Sequence, residues 1–318
     1  MTDKMQVNLA QQVSECLQLA VLLEVSSYPK PGNVHRTADF QETRYEHFLA
    51  SAVAVAPHFK LAAERGMMIS TGKISLDQIN IGEIIKNAIE SVDAWQHGKN
   101  TLLGTVILLS PIAVAAGMTF AEDSFSIAKL REKMMVVVES TTPADAVAVY
   151  DAIEVAKPGG LGKAPKLDVT DSASRQKILK DQVTLFDVFK IASEYDSITY
   201  EWVNNYPITF DIGHPYFTQQ LEKTKDVNTA TVHTFLKILA EIPDTLIARK
   251  AGLAKAKDIS AQAKQVLEMG GLTTQSGKDR LWKLDEKLRD PTHQLNPGTT
   301  ADIIAAVLAV NILSGYRP

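Results

Sequence analysis

The chain contains a single cysteine, Cys16, among 318 residues, so no internal disulfide and no cysteine-based metal cage can form. A lone thiol in an apolar helical stretch fits a reducing compartment and a core-packing role. Positive charge is not in surplus either. Lys and Arg number 33 against 37 Asp and Glu, a net charge of −4, and this removes the electrostatic footprint of non-specific nucleic-acid binding. Strand signals are nearly absent, Val136-Val137-Val138 being a short and isolated β-branched cluster. The longest apolar run, Leu102 to Ala116, is interrupted by Ser110 and Pro111. It falls short of the roughly 20 residues needed to cross a bilayer, so a buried helix and no membrane contact are expected. The opening Met-Thr-Asp-Lys-Met-Gln lacks the basic-then-apolar order of a secretory signal, and a cytoplasmic location is expected. His-Glu-x-x-His, Cys-x-x-Cys, Walker A and Gly-x-Ser-x-Gly patterns are all missing, which argues against zinc hydrolase and serine hydrolase chemistry.

What the chain has is helical periodicity and 45% hydrophobic residues, enough for a large core. Leu9, Val13, Cys16, Leu17, Ala20 and Val21 share one face of a first helix that must stop at Ser26-Ser27-Tyr28-Pro29-Lys30-Pro31-Gly32. Thr43-x-x-Glu46 has the form of a capping box for a second helix, and Ser75-x-x-Gln78, Thr142-Pro143-x-Asp145 and Thr184-x-x-Asp187 repeat that start chemistry. Further helices are expected over about 101–117, 124–139, 230–241, 255–269, 279–289 and 301–314. Two stretches break the pattern, Lys157 to about Ser174 and Gly270 to Thr300, and long loops in compact proteins are commonly functional. No internal repeat or Ser/Gly linker divides the chain. The expected fold is therefore all-α, a multi-helix bundle-like single domain over 1–318.

The densest chemistry lies at Glu24 and Pro29 to Asp39. Two prolines stiffen the backbone, Gly32 lets it approach a ligand, and Lys30 and Arg36 are cations suited to polyphosphate. An ordinary helix-to-helix turn with solvated charges has the same composition. Glu46 suits a metal or a base as well as a cap, and His47 suits a helix surface. Asn100 opens the apolar helix either as its cap or beside a bound anion. The glycine- and lysine-rich loop 157–166 has the make-up of a mobile cover over a triphosphate, and equally that of a solvated loop. Asp244 with Arg249 and Lys250 also fits dipole complementarity alone. Asn296-Pro297-Gly298-Thr299-Thr300-Ala301-Asp302 is a well-made helix start that can also aim backbone N–H groups and a carboxylate into a site.

In order along the chain, these segments resemble the triphosphoribosyl-dephospho-CoA synthase family. They are Glu24 with Pro29-Lys30-Pro31-Gly32-Asn33-Val34 and Arg36; Tyr45-Glu46-His47-Phe48 with Ser51-Ala52; Asn100-Thr101-Leu102-Leu103-Gly104; Pro158-Gly159-Gly160-Leu161-Gly162 with Asp168; Asp244-Thr245 with Arg249-Lys250; and Asn296 to Asp302. The resemblance implies that ATP loses adenine, that its ribose C1 is captured by the 2′-hydroxyl of dephospho-CoA, and that the 5-triphosphate is retained. An oxocarbenium-like transfer of this kind needs a carboxylate near the sugar and a base for the incoming hydroxyl. On that reading Glu24 and Glu46 are the catalytic carboxylates. Lys30, Gly32, Asn33, Arg36, Asn100, Lys163, Arg249, Lys250, Asn296, Gly298 and Thr299 hold ATP, and Asp39, Asp244 and Asp302 bind Mg²⁺.

Arg44-Tyr45-Glu46-His47 and the 157–225 region depart from the lyase-associated members. Another alcohol acceptor, such as an aminophenyl-ribitol precursor of a tetrahydromethanopterin-type C1 carrier, is therefore an alternative. A non-catalytic ATP- or CoA-binding protein is a third reading. The apolar helices also suit a homodimer face.

Overall fold

The computed structural model describes residues 3–123, 125–162, 164–290 and 293–318, and among them finds fifteen α-helices and no strand. They are α1 (Asp3–Ser26), α2 (Tyr45–Ser70), α3 (Ile81–Trp95), α4 (Leu103–Ala121), α5 (Ile127–Glu139), α6 (Pro143–Ala156), α7 (Ser172–Lys180), α8 (Leu185–Ala192), α9 (Ser197–Val203), α10 (His214–Thr224), α11 (Val227–Glu241), α12 (Thr245–Ala251), α13 (Leu253–Glu268), α14 (Gln275–Leu288) and α15 (Gly298–Leu313). A π-helical turn, Ile208–Gly213, precedes α10. The all-α expectation holds, and Val136 to Val138 lie within α5.

Two helices apolar on every side form the centre. α4 is long and apolar enough to cross a membrane, yet 89% of its apolar window is buried inside the protein. It packs against α1, α2, α3, α5 and α15, while α15 also packs on α11. A helix that is hydrophobic all round requires such a coat of other helices.

Pro111 inside α4 has no N–H to offer the Ile107 carbonyl one turn back. The indole Nε1 of Trp202 donates to that carbonyl at 3.1 Å, and the Tyr206 hydroxyl donates to the neighbouring Leu108 carbonyl at 3.0 Å. The broken helix thus becomes the docking point for α9 and the segment after it. The Glu201 carboxylate accepts the Ile208 and Thr209 N–H groups at 2.7 and 3.0 Å, which holds the start of the π-helical turn. Burial raises this carboxyl to about 7, against the pull of those donors.

The start signals hold at Thr142 and Thr184, whose hydroxyls accept from Asp145 N and Asp187 N. At Ser75 the box closes on a 3-10 turn, Leu76–Gln78, ahead of α3. At Thr43 the expectation is corrected. α2 begins two residues later, with Arg44 at its cap. The Arg44 N–H donates to His47 Nδ1 at 3.2 Å, and the Tyr45 N–H donates to Asp39 Oδ1 at 2.8 Å. Glu46 is therefore no cap, and Asp39 satisfies one of the free N–H groups at the start of α2.

Candidate active site

A cavity of about 520 Å³ opens where the first turns of α4 and α15 meet the loops around residues 40–43, 157–169 and 293–298. These are the loop regions in which the sequence concentrates its motifs. Side chains of α6, α8, α9 and α12 complete the wall. One part is apolar and aromatic, with Ile107, Tyr150, Val188, Phe189, Tyr195 and Ile198. Another is cationic, with Lys99, Lys157, Lys166, Arg249 and Lys250, and Glu24 and Asp302 also line the cavity.

Glu24 comes from the last turn of α1 and is 6% exposed. Its Oε1 accepts from the Lys30 ammonium, which is itself 1% exposed. Burial drives the Glu24 carboxyl up and the Lys30 ammonium down, and each charge counters that drift in the other. Lys30 is the counter-ion of Glu24 and does not line the cavity, where a contact with ATP was expected of it.

Asp302, in the first turns of α15, takes a hydrogen bond from Thr105 Oγ1 at 2.5 Å and approaches the backbone of α4 at Gly104. Burial raises its carboxyl to about 8, with the nearby charges of Glu24 and Asp244 pushing the same way. A carboxyl held that high favours its protonated form at neutral pH.

Asp244 has a different task. Its Oδ1 accepts from Leu246 N and Ile247 N at 2.9 and 3.1 Å, and its Oδ2 accepts Thr300 N and Thr300 Oγ1, both at 2.8 Å. One carboxylate thus ties the starts of α12 and α15 together. Four donors occupy it, and it does not line the cavity.

Arg249 and Lys250 line the wall and also hold its loops. Arg249 pairs with Asp196 and donates from Nε to the Gly160 carbonyl at 3.0 Å. Lys250 donates to the His293 carbonyl and to Asn296 Oδ1, both at 3.1 Å. Asn100 lines the cavity and accepts the Leu103 N–H at 3.1 Å, so it caps α4 at the same time. Gly298 and Thr299 line it at the start of α15.

The remaining expected site residues stand outside the cavity wall or outside the described residues. Glu46 is exposed on the first turn of α2 and is not among the cavity residues. Arg36 is exposed, its guanidinium 4.2 Å from the Tyr28 ring centre, and it too stands outside. Gly32 is shaped for packing rather than for a ligand. It has φ +76°, a Cβ there would lie 2.7 Å from Leu288 Cβ, and its N–H donates to Asp285. Asn33 is buried and donates to the Pro297 carbonyl at 3.3 Å. Lys163 lies outside the described residues, while Lys157 and Lys166 of the same loop are in the wall.

The three expected metal ligands do not converge, because Asp39 caps α2, Asp244 is saturated, and only Asp302 faces the cavity. Among the described residues no group of three His, Cys, Asp or Glu side chains is arranged to hold a metal. The donor set suits a magnesium ion carried by phosphate oxygens, and it does not suit a centre caged by the protein.

Residues 10–318 match the family described as ATP:dephospho-CoA triphosphoribosyl transferase. The chain belongs to that family. A Pseudomonas fluorescens strain Pf-5 relative, named as a probable 2-(5''-triphosphoribosyl)-3'-dephosphocoenzyme-A synthase, is 23% identical over 308 residues, covering 96% of this chain and 92% of its own. The Klebsiella pneumoniae protein named 2-(5''-triphosphoribosyl)-3'-dephosphocoenzyme-A synthase is 33% identical over 91 residues, 29% of this chain and 30% of its own. A crystal structure from Archaeoglobus fulgidus, assigned as a triphosphoribosyl-dephospho-CoA synthase, superposes with a TM-score of 0.61 at 22% identity. It covers 85% of this chain and 100% of its own, so this triphosphoribosyl transferase shares its all-α fold.

Proposed function

We propose that this chain transfers the 5-triphosphoribosyl group of ATP to a hydroxyl of dephospho-CoA and releases adenine. Family membership supports the reaction, and the observation that carries it to particular residues is the pair of carboxyls, buried Glu24 and half-buried Asp302, in one cavity with cationic side chains in its wall.

Breaking the bond between ribose C1 and adenine leaves positive charge on the sugar, and a carboxylate facing that charge stabilises it more in the transition state than in the ground state. Glu24, whose ionised form is favoured by the Lys30 ammonium beside it, has that task. Asp302, protonated at neutral pH, hands its proton to a ring nitrogen of the departing adenine. The carboxylate so formed takes the proton of the acceptor hydroxyl as its oxygen bonds to C1. One proton leaves Asp302 and one returns, so the site ends as it began.

Lys157, Lys166 and Lys99 supply charge for the triphosphate, and Arg249 and Lys250 hold the loops over it. Mg²⁺ arriving with ATP would be carried by the phosphate oxygens and would neutralise part of their charge. Tyr150, Phe189 and Tyr195 offer aromatic surface for a purine.

The test is chromatographic detection of free adenine after incubation with ATP, Mg²⁺ and dephospho-CoA, or with an aminophenyl-ribitol in its place. Adenine with dephospho-CoA, lost in Glu24→Gln, supports the reading. Adenine only with the second alcohol reassigns the acceptor, and saturable ATP binding with no adenine from any acceptor overturns the transferase assignment.

A further inference from the structure

Lys30 presents a physical problem. Its ammonium is desolvated, and its four-carbon stem has to be held in one arrangement, at a cost in rotamer entropy and hydration. The partnership with Glu24 persists only if the backbone that carries Lys30 is fixed. That backbone is the loop between α1 and α2, which has no regular ladder of its own.

Its anchor is α14. Asp285, 3% exposed and outside the cavity, accepts the Gly32 N–H on Oδ1 at 2.9 Å. On Oδ2 it accepts Arg289 Nε at 3.0 Å and meets His35 Nε2 at 3.4 Å. Arg289, one turn on, donates from Nη2 to the Asn33 carbonyl at 2.5 Å. Residues 32, 33 and 35 are thus gripped by the last turn and C-cap of one helix, 250 or more positions away in sequence, and Lys30 enters that grip two residues before Gly32.

We propose that Asp285 is a positioning residue of the transfer reaction: it fixes the 29–36 loop so that the Lys30 ammonium stays on Glu24. The inference rests on the transferase reading for its kinetic consequence and on packing alone for its structural one. Asp285 does not line the cavity, so its loss leaves the cationic side chains of the wall in place and disturbs the charge that faces the sugar.

The experiment compares Asp285→Ala and Asp285→Asn with the unaltered protein in two readouts, adenine-release kinetics and acylation of Lys30 by an amine-reactive reagent, mapped by mass spectrometry. Buried Cys16, challenged with a thiol reagent, reports whether the core stays closed. In Asp285→Ala, kcat is expected to fall on the order of 10- to 100-fold while KM for ATP stays within about threefold. Lys30 becomes acylated there while Cys16 remains protected. Asp285→Asn, which keeps an oxygen for the Gly32 N–H, falls between the two. If Asp285→Ala exposes Cys16, Asp285→Asn is judged by the same two readouts. Lys30 protected in a variant with closed core overturns the proposal, whatever happens to kcat, and so does an exposed Lys30 with kcat unchanged. If the unaltered protein releases no adenine with any acceptor, it is the transferase reading that fails. The labelling then decides by itself whether Asp285 fixes Lys30.

Discussion

The Asp302 carboxylate lies where a side chain on residue 104 would be: a Cβ on Gly104 would stand 2.1 Å from Oδ2 and 2.7 Å from Cγ. Gly104→Ala therefore displaces Asp302 while adding a better helix former to α4. Adenine release is expected to fall on the order of 100-fold with the circular dichroism spectrum retained. Activity close to the unaltered protein would mean that Asp302 does not act from its present position.

The protonation of Asp302 has a signature in stability. Its folded pKa of about 8 lies above the unfolded value near 3.8, so between those values the folded state holds a proton that the unfolded chain gives up. The contribution is fully present below about pH 4 and is lost as pH rises through about 8. Melting temperatures of the unaltered protein and of Asp302→Asn, measured from pH 5 to 8.5 without ATP, should diverge in favour of the variant as pH rises. A constant difference would show that Asp302 does not carry the proton.

Glu24 and Glu46 separate cleanly in a kinetic test. Glu24→Gln should abolish measurable adenine release, a loss of at least about 100-fold, because the charge facing the sugar disappears. Glu46→Gln, exposed and outside the cavity, should leave kcat and KM within about twofold, since surface substitutions of this kind rarely matter. Equal losses in both would restore the two-glutamate mechanism.

Arg249→Ala frees the Gly160 carbonyl and the Asp196 carboxylate together. The glycine loop loses its tether, and KM for ATP should rise on the order of tenfold with a smaller change in kcat, the pattern of lost ground-state binding. Steady-state kinetics with ATP as the varied substrate measures it.

Trp202→Phe tests the repair of α4. Without the indole N–H, the Ile107 carbonyl beside Pro111 loses its donor, and urea unfolding should show a loss of about 1–3 kcal/mol.

Much of this was legible from the chain, and the reasons differ by residue. Thr142 and Thr184 announced their helices because a capping box is a local device, complete within four residues. Glu24, Gly298, Thr299 and Asp302 stand out in the sequence because their segments resemble a family in order, and all four line the cavity. Thr43 misled because Arg44, His47 and Asp39 provide a competing start two residues later, and a pattern match does not rank one start above another. The starts of α7 and α9, at Asp171 and Asp196, carry only a short aspartate cap with no glutamate or glutamine to close a box. Asp285 and Glu201 were invisible for a physical reason. Asp285 holds groups far away in sequence, Glu201 serves an irregular turn, and neither leaves periodicity or motif behind. Lys30 and Asp244 look like ligands in the sequence because charge in a proline- or helix-start context resembles a binding loop. Burial, which the sequence does not display, turned one into a counter-ion and the other into a brace.

Arg249 and Lys250 are neighbours on the single short helix α12, yet each grips a different flap of the cavity mouth, one at Gly160 and the other at His293 and Asn296. The entrance therefore has one latch for two doors, and a substitution that displaces α12 is expected to release both contacts at once.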